Sequence, residues 1–92
     1  MKKTIHSHNY QKLVTWLKSS RHKKGLSMRE LADRLEVPHS WIGKIEQMER
    51  RLDVLEYVRL CQCIGIDPNE GITLINTAES PSIQTLGEDR HA

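Results

Sequence analysis

Pro38 interrupts a stretch, Ser27 to Gln47, whose residues otherwise favour helix, and it leaves that stretch only one arrangement: two short helices joined by a tight turn. A proline has no N–H to donate, and its ring drives the preceding residue, here Val37, out of the helical region. The first helix must therefore end by about Glu36. Pro38 itself, with φ already near the helical value, suits the first turn of the second helix. The first helix begins as sharply as it ends. Ser27 followed by Glu30 spells a capping box, in which the serine side chain accepts from the Glu30 N–H and the carboxylate reaches back to the serine N–H. A helix starting at Met28 then carries Leu31, Ala32 and Leu35 as one apolar stripe, with Arg29, Asp33 and Arg34 on the wet side. About three or four residues are left for the turn.

In the second helix successive residues lie about 100° apart. Trp41, Ile42 and Ile45 share one half of the wheel; His39, Ser40, Gly43, Lys44 and Gln47 share the other, which has no reason to be buried. Ala32 is small enough for the two helices to cross closely. Two such helices with an outward face of hydrogen-bonding side chains describe a helix-turn-helix, whose exposed face enters a DNA major groove. His39, Ser40, Gly43 and Lys44 are the residues expected to read bases. Trp41 lies on the border of core and groove and is expected to pack half-buried.

The runs GLSMRELADRLEV and WIGKIE resemble the DNA-binding domain shared by lambdoid phage repressors, Cro and the XRE-type bacterial regulators, over about Leu13 to Ile75. The resemblance implies an all-α, compact five-helix, lambda-repressor-like domain that binds double-stranded DNA, as a homodimer and without a cofactor. It implies backbone contacts from Met28, Arg29, Trp41 and Gln47 and from Arg50 and Arg51, which lie in the connector that family members lay along the DNA. Arg21 falls on the inward face of the first helix, and the resemblance pairs it with Glu46 as a structural ion pair. Three positions depart from the family pattern. Met28 replaces a usual Gln, Glu36 replaces the turn Gly, and Gln47–Met48 replaces Asn-Gly. A non-glycine residue at positive φ in that turn costs on the order of 1 kcal/mol.

Charge supports the same reading once it is divided along the chain. Met1 to Gln47 holds ten Lys/Arg against four acids, a balance of +6, and Met48 to Ala92 holds four against eight, −4, within an overall +2. The positive half is the half with the reading helix, as an electrostatic footprint on phosphate requires. No apolar run approaches the ~20 residues of a membrane span, and MKKTIHSHNY lacks the apolar core of a signal peptide, so a cytoplasmic protein is expected. Cys61 and Cys63, two apart on a predicted helix, point about 200° away from each other and are expected to stay reduced. The histidines, His6, His8, His22, His39 and His91, are scattered, and no HExxH, Ser/His/Asp set or phosphate-cradling glycine loop is present. Neither an enzyme nor a metal site is expected.

The remaining elements follow from caps and periodicity. Residues 1–8 read as a flexible leader or as a Lys2/Lys3 arm on phosphates. The domain is expected over 9–76. Asn9 is the expected N-cap of a helix with Leu13, Val14 and Leu17 inward, closed by Gly25. After the connector Glu49–Asp53, Asp53 caps a helix whose expected stripe is Val54, Val58, Cys61 and Ile64, widened by Leu55 and Leu60 and ended by Gly65. Asp67, Pro68 and Glu70 start a last helix with Ile72 and Ile75 on its apolar face. Residues 77–92 read as a flexible tail. Ile72, Leu74 and Ile75 serve either core packing or a dimer contact. The expected function is a repressor on a pseudo-palindromic operator; the alternative is an antitoxin that binds a toxin partner and represses its own operon.

Overall fold

The computed structural model describes residues 7–76 as five helices, with no strand among them. They are α1 His8–Lys23, α2 Met28–Leu35, α3 His39–Glu46, α4 Val54–Ile64 and α5 Pro68–Asn76. The expected Lys2/Lys3 arm and the tail after Asn76 lie outside the described residues.

Most helix starts are where the local chemistry puts them. Ser27 Oγ accepts from Glu30 N–H at 3.0 Å while Glu30 Oε1 accepts from Ser27 N–H at 2.8 Å. Asp53 and Glu56 repeat this box at the start of α4, at 2.8 and 3.0 Å. Asp67 Oδ1 accepts from Asn69 N–H at 2.9 Å, at the start of α5. Two starts differ from expectation. The cap of α1 is Ser7, whose Oγ accepts from Tyr10 N–H at 3.1 Å, and not Asn9, whose buried Oδ1 has no hydrogen-bond partner. Both residue types cap well; the helix begins at His8, and the Tyr10 hydroxyl in its first turn lies against the α3–α4 connector, where it accepts from Leu52 N–H at 3.2 Å. Pro38 is the residue before α3 rather than its first, with ψ 147°, so the helix begins at His39.

The core is built from Leu13, Val14 and Leu17 of α1, Leu31, Ala32 and Leu35 of α2, Ile42 and Ile45 of α3, and Tyr57, Leu60, Cys61 and Ile64 of α4, all buried. Each large aliphatic contributes about 1.5–3 kcal/mol of burial. The buried stripe of α4 is therefore displaced from the expected one: Val54 and Leu55 are each 75% exposed, and Tyr57 lies inside. Tyr57 is drawn in by α5, because its hydroxyl donates to the Pro68 carbonyl at 2.6 Å. In α5 the buried position is Gly71, while Ile72 is 48% exposed and Ile75 packs half-buried. Two arginines lock α2 to α4: Arg34 Nη1 donates to the Cys63 carbonyl at 2.9 Å, and Arg59 Nη2 to the Leu35 carbonyl at 3.4 Å. Each guanidinium meets carbonyls left open at the other helix's C-terminal end. Cys61 and Cys63 are free thiols, and burial pushes the Cys61 thiol up, away from reactive thiolate.

Candidate nucleic-acid interface

The helix that carries the candidate base-reading residues is anchored at both its apolar face and its end. Ile42 and Ile45 are 2% exposed. Arg21 of α1 donates from Nε to Glu46 Oε2 at 2.7 Å and from Nη2 to Glu46 Oε1 at 3.0 Å, and its Nη1 donates to the Leu26 carbonyl at 2.8 Å. The structure thus brings Arg21 and Glu46 together as a bidentate pair, and the Leu26 carbonyl occupies the guanidinium's remaining edge.

With that side fixed, His39, Ser40, Lys44 and Gln47 are exposed on the opposite face of α3, and Gly43 is half-buried between them. Packing does not demand glycine at 43, since a Cβ there would meet only Met28 Sδ, at 3.9 Å. Glycine leaves this part of the helix surface low, without a side chain between the backbone and solvent. Met28, at the first position of α2, is half-buried beside it, and Arg29 is exposed. The face presents an imidazole, a hydroxyl and an ammonium, groups suited to the acceptors on base edges. The two positions that replace family glycines do adopt positive φ: Glu36 at 64° and Met48 at 62°. A non-glycine residue held there costs on the order of 1 kcal/mol.

Trp41 packs half-buried, as expected, and the connector brings Arg50 against it, with the guanidinium 5.0 Å from the ring centroid. Arg50 donates from Nη1 and Nη2 to the two carboxylate oxygens of Glu56, each at 3.1 Å, and from Nη1 to the Arg51 carbonyl at 3.2 Å. The Arg50 guanidinium, and then the Asp53 N–H, hold the Glu56 carboxyl below its ordinary range. Arg50, expected along the DNA backbone, is thus engaged within the protein, with its side chain 38% exposed; Arg51 is exposed. Sequence reasoning missed Tyr10 and Glu56. Glu56 carried a legible signal, because it stands three residues after Asp53 in the capping-box spacing; nothing local marked Tyr10.

A bihelical unit on an α1 and α4 support, with a polar outward face on its second helix, defines a helix-turn-helix DNA-binding domain. Comparison with known proteins agrees. Residues 13–70 match the helix-turn-helix domain family. The chain is similar in structure to an XRE-family like protein from Pseudomonas syringae pv. tomato str. DC3000, with 39% identity, a TM-score of 0.76, and coverage of 86% of this chain and 96% of that one. No curated protein matches the sequence. The chain belongs to the XRE family of helix-turn-helix, DNA-binding transcription regulators. Among the described residues no helix is long and apolar enough to cross a membrane.

Proposed function

We propose that this regulator is a sequence-specific repressor of the cytoplasm, acting as a homodimer on a pseudo-palindromic operator. His39, Ser40, Gly43 and Lys44 read bases, while Met28, Arg29, Trp41, Gln47 and Arg51 border them and follow the DNA backbone. The observation that carries the reading is the exposed polar face of α3, set on a helix whose other side is locked into the core. Phosphates supply most of the affinity and base edges supply the choice of site. Selection of bound fragments from a random DNA pool identifies the operator. On it, Lys44→Ala or Ser40→Ala should cost ~1–3 kcal/mol and cost little on random duplex. Equal loss on every sequence would sink the assignment.

A homodimer follows from the reach of one helix, about four or five base pairs, which cannot pick an operator from ~10⁶ competing sites. Exposed apolar residues support a protein contact: Val54, Leu55 and Ile72, of which Val54 and Ile72 line one groove with Leu52. Inserting five base pairs between half-sites turns one to the other side of the duplex; unchanged affinity would mean independent monomers. The same patch favours a second reading, an antitoxin whose toxin partner covers it. A small toxin gene beside this one, and co-purification of its product, would separate the two.

A further inference from the structure

Residues 50–52, immediately beyond the reading helix, are gripped from three helices. From α1, the Tyr10 hydroxyl donates to the Arg50 carbonyl at 3.3 Å and accepts from Leu52 N–H at 3.2 Å. From α4, the Glu56 carboxylate takes both Nη atoms of Arg50 at 3.1 Å, and its Oε1 also accepts from Asp53 N–H at 3.0 Å. From α3, the Trp41 ring lies 5.0 Å under the guanidinium.

A phosphate ligand works best with its donors directed outward. The Arg50 fork is already matched to a carboxylate and its flat face to an indole, so turning it onto a phosphate would forfeit both contacts. The connector, by contrast, gains a defined position from every one of these bonds. Trp41 sits on α3 next to Ser40, so the side chain that Arg50 covers belongs to the helix that presents the reading face. A site of this kind depends on supporting groups that hold it to within a fraction of an ångström.

We infer that Tyr10, Trp41, Arg50 and Glu56 form a clamp that sets how α3 is presented to DNA, and that Arg50 is a positioning residue rather than a phosphate ligand. The inference rests on the proposed reading of bases by α3.

The test uses the full chain and two variants that leave its net charge unchanged. Tyr10→Phe removes one oxygen and keeps the ring. The double variant Arg50→Ala with Glu56→Gln removes the ion pair while the glutamine retains an acceptor for Asp53 N–H. Affinity is measured against salt on the selected operator and on random duplex, with thermal midpoints alongside. Each variant should bind the operator about tenfold more weakly and random duplex within about twofold of wild type. The slope of affinity against salt should not change, because no phosphate contact has been lost. A slope flattened by about one unit in the double variant, with equal loss on both duplexes, would make Arg50 a phosphate ligand and overturn the inference. Should the double variant fail to fold, Tyr10→Phe decides alone: operator affinity equal to wild type would overturn the clamp. Wild-type protein with no preference for any sequence would instead overturn base reading itself, and the clamp's part in it.

Discussion

Arg21 of α1 and Glu46, the last residue of α3, meet at 2.7 Å with both side chains only 6% exposed. The pair joins the supporting helix to the end of the second helix of the helix-turn-helix, and each charge is shielded from water by the same packing that buries its partner. Glu46→Ala would strand the guanidinium, at a cost of ~3–5 kcal/mol. In a domain of this size that lowers the thermal midpoint by more than about 10 °C. A midpoint within about 1 °C of wild type by circular dichroism would show that the pair contributes nothing.

Gly71 is the buried position at which α5 comes close to Tyr57, Trp16 and Leu13. A Cβ there would collide with the Tyr57 hydroxyl and come within 2.7 Å of Trp16 and 2.9 Å of Leu13. Tyr57 cannot swing aside cheaply, because its hydroxyl is bonded to the Pro68 carbonyl. Gly71→Ala should therefore destabilise by ~1–3 kcal/mol through overpacking, and the loss should fall first on α5. Hydrogen exchange of the α5 amides reads this directly. Protection in α5 equal to wild type would contradict it.

Glu36 stands at φ 64° in the turn between α2 and α3, where a Cβ is strained. Glu36→Gly should relieve that strain and stabilise by about 0.5–1 kcal/mol, since the strain relieved exceeds the added freedom of the unfolded chain. Gly65→Ala, at φ 89°, should have the opposite sign. Shifts of the denaturant midpoint check both, and a destabilised Glu36→Gly would show that the left-handed turn carries no strain.

Acid should destabilise the protein through two carboxyls. Glu56 is held below its ordinary value by Arg50 and then by the Asp53 N–H, and Glu30 by the Ser27 N–H and hydroxyl. For a depressed carboxyl the unfolded chain binds the proton more readily. Its stabilisation is complete above the ordinary value of 4.5 and is lost as pH falls through the lower folded value. Glu56→Gln should flatten that acid limb in urea titrations. The alkaline limb has the reverse origin: burial pushes the Tyr57 phenol well above its ordinary 10.0, so stability fades as pH rises beyond that value. A Tyr57→Phe protein with the same slope above pH 10 would exclude this assignment.

How much of this was legible from the residues depends on how far apart the deciding groups lie. The boxes at Ser27/Glu30 and Asp53/Glu56 close over three residues, Gly25 and Gly65 end helices by their own φ, and Pro38 restricts only its neighbours. Such signals act the same way in any surroundings, so the order of helices, the tight turn and the outward face of α3 could be read before any fold was known.

The faces of α4 and α5 could not. Val54 and Tyr57 are both apolar enough for a core, and only the crossing of α5 over α4 decides that Tyr57 enters it and Val54 stays at 75% exposure. Asn9 and Ser7 are both good caps, and local chemistry does not choose between them; the structure uses Ser7, with Tyr10 reaching Leu52, 42 positions along the chain. Arg50 reads as a free cation in sequence, and only the return of α4 alongside the connector pairs it with Glu56. Sequence alone determined what each segment of this protein would be. Tertiary structure decided which side of each segment faces inward and which cations are paired within the protein, because those depend on contacts between residues that the chain does not place side by side.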